Sequence, residues 1–319
     1  MRKLHLWVAL ATVLSSASAA AQVYPSRMIK IVVPLPPGAT ADTLPRIIAD
    51  KLTLKWGQPV IIENRPGAAQ NLGAEVVAKA EPDGYTLLAT PQGPLVISQH
   101  FYPKLGFDPE AFVPVTIMAV LSSTLVVNPK VPASTLQELI AFAKANPDKL
   151  SYASPGTGSP PHLAAAMLAT AAGIRMVHVP YKGLVPAMTD LLAGHVDMMF
   201  DNLGNTLSHI KDGRLRVLAI STEKRIPEFP EVPAVAEMYP GVVYTSWFAI
   251  VAPPKTPPEI ASKLSSAINE VLRMPDVVKR LKAMSTTPGG QSPAQTAALF
   301  AEESQRWRKV IASAGIKAE

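Results

Sequence analysis

The sequence has 319 residues, a formal net charge of +6, no cysteine and 32 prolines. Hydrophobic residues make up 48% of it and charged residues 17%, which supplies packed cores and excludes a disordered chain. The absence of cysteine excludes thiolate catalysis, cysteine-ligated zinc and iron–sulfur clusters. A chain of this length is typical of two domains.

The N-terminus has the layout of a secretory signal peptide. Arg2 and Lys3 precede an apolar run at residues 4–14, and small residues follow it. As a helix this run spans about 16 Å, too short for the ~30 Å hydrocarbon core that a membrane anchor crosses. We therefore predict a cleavable signal over residues 1–21, cut after Ala19 or Ala21, and an exported protein.

The remaining chain is mildly basic. Removal of Arg2 and Lys3 lowers the net charge from +6 to +4. The sequence has no run of lysine or arginine interleaved with aromatic residues, so we do not expect nucleic acid as a partner. The small positive excess fits an anionic ligand. No later segment has the length of a membrane span.

Apolar strand-like runs alternate with amphipathic stretches, which is the pattern of an α/β protein. The predicted strands cover residues 28–35, 60–63, 86–90, 124–128, 150–153, 176–179, 196–200 and 217–220, and a long extended run covers 242–252. The predicted helices cover residues 42–52, 72–80, 134–146, 161–172, 258–273, 276–284 and 293–314, with short helices between the later strands. Asp42 is the expected N-cap of the first helix, and Ser134 with Gln137 has the spacing of a capping box.

The common catalytic motifs are missing from the sequence. It has no G-x-S-x-G elbow, no phosphate-binding G-x-x-x-x-G-K-[ST] loop, no H-E-x-x-H and no EF-hand loop. The nearest approach to a dinucleotide fingerprint, GTGSPP at residues 156–161, has prolines where the third glycine belongs. The six histidines are scattered. We therefore expect no catalytic residue, metal or cofactor. The rival interpretation is a secreted enzyme with Asp201 or His162 as general base, and it lacks a nucleophile.

Two loops run from a predicted strand into a predicted helix. They are PLPPGATAD at residues 34–42 and SPGTGSPPH at residues 154–162. Each would direct backbone N–H groups and hydroxyls from a helix N-terminus toward the carboxyl ends of the strands, where α/β proteins bind ligands. Such loops also occur as plain connections that cap their helices. The matching chemistry of the two loops favours the binding of an anion such as a carboxylate.

The first loop resembles a known motif. VVPLPPGATAD, residues 32–42, is similar to the VVPFPPGG-x-x-D motif of the substrate-binding receptors of tripartite tricarboxylate transporters, the TctC or Bug family. The resemblance continues through residues 57–88 and 176–202 and covers nearly the whole chain after the signal. Leu35 and Ala39 depart from the motif. Because alanine tolerates a positive φ poorly, a differently turned peptide is expected at Ala39.

The resemblance implies a two-lobed α/β fold of the periplasmic-binding-protein type II class, with a ligand cleft between the lobes. Lobe 1 would comprise residues 24–123 and 248–319, and lobe 2 residues 124–247. It further implies a monomeric periplasmic receptor that closes on a small carboxylate: a di- or tricarboxylate, an amino acid or an aromatic acid. The partners would be the membrane permease subunits of the transporter. A ligand-sensing adaptor for a signalling system would have the same sequence features.

In such receptors, backbone amides and hydroxyls of the two loops hold the ligand carboxylate. Carried onto this sequence, the resemblance points to the following ligand-binding residues: Pro37, Gly38, Ala39, Thr40, Ala41 and Asp42 in the first loop, and Ser154, Gly156, Thr157, Gly158, Ser159 and His162 in the second.

Further side chains follow other predicted strands. Thr90 and Gln92 come after the third strand and are expected to line the cleft. The resemblance places Asp201 at the cleft, where it either holds a polar group of the ligand or caps the next helix. Lys182 either contributes positive electrostatic potential at the cleft or is a solvent-exposed lysine in a turn. Trp247 and Phe248 either line the wall of the cleft or pack where the lobes join.

Overall fold

The computed structural model describes residues 24–38 and 40–314. The predicted signal peptide, residues 1–21, and Ala39 lie outside the described residues. The described strands are β1 (Ile29–Val33), β2 (Val60–Asn64), β3 (Thr86–Pro91), β4 (Val113–Leu121), β5 (Ser123–Val127), β6 (Ser151–Ser154), β7 (Val177–Pro180), β8 (Met198–Asn202), β9 (Arg216–Ile220), β10 (Ser246–Ala252) and β11 (Thr286–Pro288).

Helices cover both sheets. They are α1 (Thr40–Trp56), α2 (Asn71–Ala78), α3 (Ser98–Phe101), α4 (Leu136–Ala145), α5 (Pro160–Ala172), α6 (Leu184–Ala193), α7 (Leu203–Lys211), α8 (Pro258–Leu272), α9 (Pro275–Ala283) and α10 (Pro293–Ala314). None of these helices combines the length and apolarity needed to cross a membrane.

The strands form two separate sheets. The first has six strands in the order β11–β4–β10–β3–β1–β2, and the second has five in the order β7–β6–β8–β5–β9. In the first sheet β1 pairs in parallel with β2 and β3, with Ile31 opposite Ile62 and Leu87. In the second sheet β6 pairs in parallel with β7 and β8. The carboxyl ends of these parallel strands are where each sheet presents its βα loops.

The chain crosses between the sheets at Ser122, which joins β4 to β5, and returns between β9 and β10. Strand β5 includes Ser123 and pairs in antiparallel fashion with β8 and β9. Strand β10 begins at Ser246 and pairs with β3 and β4. The lobe boundaries expected at 123/124 and 247/248 thus fall inside β5 and β10, and they remain a prediction.

Side chains alternate between the two faces of β10, as the two-residue period of a strand requires. Phe248 packs in the cluster that α1 and α8 bury against one face of the first sheet. Trp247 points to the other face, where its ring stacks on Phe300 of α10 with centroids 5.2 Å apart. Helix α10 also reaches the connection between the sheets, because its fully buried Trp307 meets the edge of Tyr244.

Three sequence expectations about element boundaries were wrong. Helix α1 begins at Thr40, so Asp42 lies inside its first turn rather than at the N-cap. The N-cap of α4 is Thr135, whose hydroxyl accepts from the backbone N–H of Glu138; Glu138 in turn accepts from Ser134 N. The extended run at 242–252 is a strand only from Ser246. Strands β4 and β11 were not predicted.

Candidate functional site

A cavity of about 920 Å³ lies between the loops of the two sheets. The first sheet contributes the loop after β1, the segment at residues 66–72 and the segment at 101–107, and the second contributes residues 155–159 and 181–183. One direct contact bridges its walls: Tyr102 donates from its hydroxyl to the carbonyl of Thr157, 3.0 Å away. A second contact joins the two sheets outside the cavity lining, where Thr40 donates to Asn205. The two sets of loops therefore meet around a cleft.

Asp42 holds the loop after β1 in shape. Its carboxylate accepts from Gly38 N at 3.1 Å, from Asn64 Nδ2 at 2.8 Å and from Arg46 Nε and Nη2 at 3.0 and 2.8 Å. Asn64 Nδ2 also donates to the carbonyl of Leu35. Burial alone would raise the pKa of Asp42, but the hydrogen bonds from Arg46, Asn64 and Gly38 lower it. Its two oxygens are thus engaged inside the protein, which makes Asp42 a positioning residue.

The other first-loop residues differ in their exposure. Thr40 and Ala41 are buried in the first turn of α1, whereas Pro37 and Gly38 are exposed. Gly38 has a φ of +102°, a conformation that glycine adopts without strain. Ala39, where the sequence departs from the family motif, is outside the described residues, so the expectation of a differently turned peptide stays a prediction.

Thr40, Asn205 and Asp201 form a chain of hydrogen bonds. Asn205 accepts from Thr40 through Oδ1 and donates through Nδ2 to Asp201 Oδ1, 3.2 Å away. Asp201 Oδ1 also accepts from Asn202 N at 2.8 Å, and its Oδ2 is buried with no partner among the described residues. Burial raises the pKa of Asp201 to about 7. Asp201 therefore changes its protonation state near pH 7, and its Oδ2 is available to a polar partner.

The loop after β6 is held mostly by its own groups. The Ser154 hydroxyl donates to Gly156 O, and the N–H of Gly158 donates to His162 Nδ1 at 3.0 Å. Ser159 N bonds Gly156 O, and the next two residues are prolines without an N–H. The Ser159 hydroxyl is buried, makes no cap hydrogen bond and has no partner among the described residues. Among the groups of this loop, the Ser159 hydroxyl is therefore the one shown here to be buried and available to a ligand.

Three stacked aromatic rings lie against this loop. His162 stacks on His178 with centroids 3.9 Å apart, and Tyr152 stacks on His178 at 4.9 Å. His178 Nε2 lies 2.7 Å from the Ser154 hydroxyl. Burial lowers the pKa of His178 to about 4, and burial followed by the nearness of His178 lowers that of His162 to about 3. Both rings are neutral at pH 7, so His162 supports the loop and carries no charge toward a ligand.

The segment after β3 is buried, and neither Thr90 nor Gln92 is among the residues that line the cavity. Thr90 is 1% exposed and its hydroxyl donates to Pro91 O. Gln92 is 0% exposed, and neither atom of its side-chain amide has a partner among the described residues. Trp247 Nε1 is likewise buried and unpartnered. Phe248 packs on the face of β10 opposite to Trp247 and is not among the residues that line the cavity. Lys182 is exposed at the edge of the cavity.

The sequence missed several residues of the cleft. Tyr102 and Phe101 reach the second loop: a Cβ added at Gly158 would lie 2.6 Å from the Phe101 ring. Gln70 also lies in the cavity wall, and Asn205, outside the lining, joins the second sheet to Thr40 of α1. These residues have no motif of their own, and long chain separations hide their proximity. The described residues contain no cluster of three or more His, Asp or Glu side chains able to hold a metal ion.

The sequence is similar to known transport receptors. Residues 44–316 match the family model described as "Tripartite tricarboxylate transporter family receptor". The protein BugT of Bordetella pertussis is 38% identical over 311 residues, which cover 97% of this chain and 95% of BugT.

Two solved structures that carry ligands have the same fold. Rpa4515 of R. palustris with adipate has a TM-score of 0.88 at 35% identity, covering 92% of this chain and 99% of that one. MatC of Rhodopseudomonas palustris with bound malate has a TM-score of 0.84 at 31% identity, covering 90% and 100%. The expected fold class, an α/β fold of the two-lobed binding-protein type, is thereby confirmed.

Proposed function

Since the chain belongs to the tripartite tricarboxylate transporter receptor family, TctC or Bug, we propose that it captures a small carboxylate and does not transform it. The observation that carries this proposal is the cleft between the two sets of loops. Ser159 lines this cleft, and its buried hydroxyl has no partner among the described residues. Asp201 Oδ2 and the Gln92 amide are also buried and unpartnered among those residues, although Asp201 and Gln92 do not line the cavity itself. Buried polar atoms without partners cost about 1–3 kcal/mol each, so a ligand that pairs with them gains affinity.

The class of ligand is proposed from the two relatives and from the site. Adipate and malate, bound by Rpa4515 and MatC, are both small carboxylates. The proposed binding residues are those predicted from the sequence, with Thr40, Ser159, Gln92 and Asp201 contributing side chains and Asp42 acting only through the loop it holds. The α5 N-terminus places its positive dipole end beside Ser159, which favours a carboxylate there.

Capture by closure is supported by the contacts across the cleft. The hydrogen bonds Thr40–Asn205 and Tyr102–Thr157 each join a loop of the first sheet to one of the second. Two connections, at Ser122 and between β9 and β10, link the sheets and form the hinge in this proposal. A ligand that contacts both walls stabilises the closed form by its extra contacts.

The cellular setting of the proposal follows the family. Residues 1–21 direct export, the receptor acts in the periplasm as a monomer, and the closed form docks on the membrane permease subunits of a tripartite tricarboxylate transporter. A pull-down with the permease subunits tests this part: enrichment that depends on added ligand is expected, and recovery of a sensor kinase instead would favour the adaptor.

Ligand capture is tested by thermal unfolding with a panel of mono-, di- and tricarboxylates, amino acids and aromatic acids. A ligand at 100 times its Kd adds about 2.7 kcal/mol to the free energy of unfolding. Ser159→Ala should reduce the shift, because it removes an uncommitted hydroxyl from the cleft; Ser208→Ala on the exposed face of α7 is the matched control. If no acid raises the Tm, the carboxylate proposal is wrong. If an acid is recovered in chemically altered form after incubation with the protein, the protein is an enzyme and not a receptor.

A further inference from the structure

A second cavity, of about 520 Å³, lies between α10 and the segments that precede β4. Its walls are α3 with the residues before it, the turn at Pro109–Ala111, the start of β4 and one face of α10. None of its lining residues also lines the cleft. The cavity is therefore separate from the cleft, and its volume is in the range of sites that enclose a small molecule.

Part of this cavity is apolar. Leu95 and Phe112 are buried in its wall, and Phe300 of α10 is half-buried there and stacks on Trp247. The alanines at 297 and 301 are one turn apart on α10, so they lie on the same face and leave open the space that larger side chains would fill. Such a wall, with two phenyl rings, suits the hydrocarbon ring of a ligand.

Three polar side chains of the wall bind one another. Gln99 Nε2 donates to Ser304 Oγ, 2.7 Å away, and His100 Nε2 lies 2.8 Å from the same hydroxyl. Burial first, and then the charge of Arg308, lowers the pKa of His100, although Glu110 and Ser304 act in the opposite direction. The ring is therefore neutral at pH 7, and Ser304 donates to it. These contacts join α3 to α10 at this end of the cavity.

Two opposite charges lie at the same end. Glu110 Oε1 accepts from Gln99 Nε2 at 3.4 Å, and Arg308 follows Ser304 by one turn of α10. Both charged side chains line the cavity and are exposed. The ion pairs of the described residues include neither of them, so they are not paired with each other. A ligand group with one positive and one negative charge would complement both.

We propose that this cavity is a second binding site, which takes a small zwitterion with an apolar ring, an amino acid of the phenylalanine type. Arg308 binds the carboxylate, Glu110 binds the ammonium group, and the ring packs against Phe112 and Phe300. An acid without the ammonium group would place its negative charge near Glu110, and an amine without the carboxylate would place its positive charge near Arg308. The site is independent of the proposed capture of an acid in the cleft.

Four probes separate these contributions: L-phenylalanine, 3-phenylpropionate without the ammonium group, phenethylamine without the carboxylate, and glycine without the ring. Saturation-transfer NMR titrations of the full receptor measure each Kd. Phenylalanine should bind at least about tenfold more tightly than glycine, because its ring is buried. It should bind about threefold more tightly than either singly charged probe, the size of one exposed ion pair. Equal Kd values for the three ring compounds would overturn the proposal.

Substitutions on α10 locate the binding. Ala301→Phe should weaken phenylalanine binding at least about tenfold, because the new ring fills the cavity. Ala298→Phe is the matched control, since Ala298 is exposed on α10 and does not line the cavity. Arg308→Gln should raise the Kd of phenylalanine and 3-phenylpropionate about threefold without weakening phenethylamine. Lys309→Gln, at an exposed residue outside the cavity, should change none of them.

The cleft is the other place where the amino acid could bind. Gly158→Ala alters the cleft and should leave phenylalanine binding at the wild-type level. Loss of binding in Gly158→Ala with retention in Ala301→Phe would place the amino acid in the cleft and overturn this inference alone. Absence of phenylalanine binding to the wild-type protein would also overturn it, whereas the proposed function fails only if no acid raises the Tm.

Discussion

Thr40 donates a hydrogen bond from Oγ1 to Oδ1 of Asn205, 2.9 Å away, although 165 positions separate them in the chain. Thr40 begins α1, which packs on the first sheet, and Asn205 lies in α7 beside the second. Asn205 also donates to Asp201, whose other oxygen has no partner among the described residues. A single asparagine thus links the contact between the two sheets to the environment of the buried Asp201 carboxyl.

Thr40→Val should weaken ligand binding about three- to tenfold, because the closed form loses one hydrogen bond and leaves Asn205 Oδ1 unpaired. The Tm without ligand should also fall by a few degrees, because valine fills nearly the same volume but cannot donate to Asn205 Oδ1. Titration with the acid that gives the largest thermal shift measures the effect. Thr189→Val, which removes an exposed hydroxyl bonded within α6, is the control and should bind normally. Equal affinities in the two variants would contradict the assigned role of Thr40.

Gly158→Ala should block closure. The new Cβ would lie 2.6 Å from the Phe101 ring across the cleft, so affinity should fall more than tenfold and small-angle scattering should show a larger radius with ligand than for wild type. Gly173→Ala is the control. Gly173 has a φ of +62°, close to the +78° of Gly158, and no atom lies within 4 Å of the added Cβ. The control should therefore lose about 1 kcal/mol of stability and bind with wild-type affinity. Parallel losses of affinity would show that backbone strain is responsible.

Asp42→Asn should destabilise the protein by about 1–3 kcal/mol, since the new amide sets N–H groups against the donors of Gly38, Arg46 and Asn64. The pKa of Asp42 is lowered in the fold, so its contribution is present above the unfolded pKa and is lost as the pH falls through the folded value. Urea unfolding at pH 7 measures the change. Glu63→Gln, at a half-buried ion pair with Lys30, should cost less than about 1 kcal/mol. Equal losses of unfolding free energy in the two variants would contradict the role of Asp42 in holding the loop after β1.

Asp201 should make stability fall as the pH rises. Its folded pKa of about 7 exceeds the unfolded value of about 3.9, so the native state binds more protons between these values and the free energy of unfolding decreases across that window. Burial first, and then the charge of Asp201 among other groups, raises the pKa of Tyr244, which stays neutral throughout. Asp201→Asn should remove this part of the slope in urea unfolding from pH 4 to 8.

The control for the Asp201 experiment is Asp276→Asn. Asp276 is exposed, and its hydrogen bond with Lys51 lowers its pKa, so it stays ionised across most of that window. This variant should keep the wild-type slope above pH 5. A slope that survives in Asp201→Asn would show that another buried group is responsible.

Most strands were predictable because their apolar, β-branched runs are local signals. The bounds of eight strands lie within two residues of the predicted ones: β1, β2, β3, β5, β6, β7, β8 and β9. Strand β4 was missed because its proline and threonine interrupt the pattern. Helix starts were less exact: at Thr135 and Thr40 several capping side chains compete within a few positions, and the packing of the helix selects among them.

The alternation of strands and helices, the two Gly- and Pro-rich loops and the membership in a receptor family could be predicted from the amino-acid sequence, since they depend on neighbouring residues and on motif order. Which polar side chains are available to a ligand depends instead on the packing of the folded chain. Asp42 and His162 lie in the motifs, but Arg46 and Gly158 engage them. Tyr102 lies outside both loops, yet its hydroxyl reaches the Thr157 carbonyl across the cleft. A side chain's freedom depends on partners distant in the chain, and only the packing of the two sheets brings those partners together.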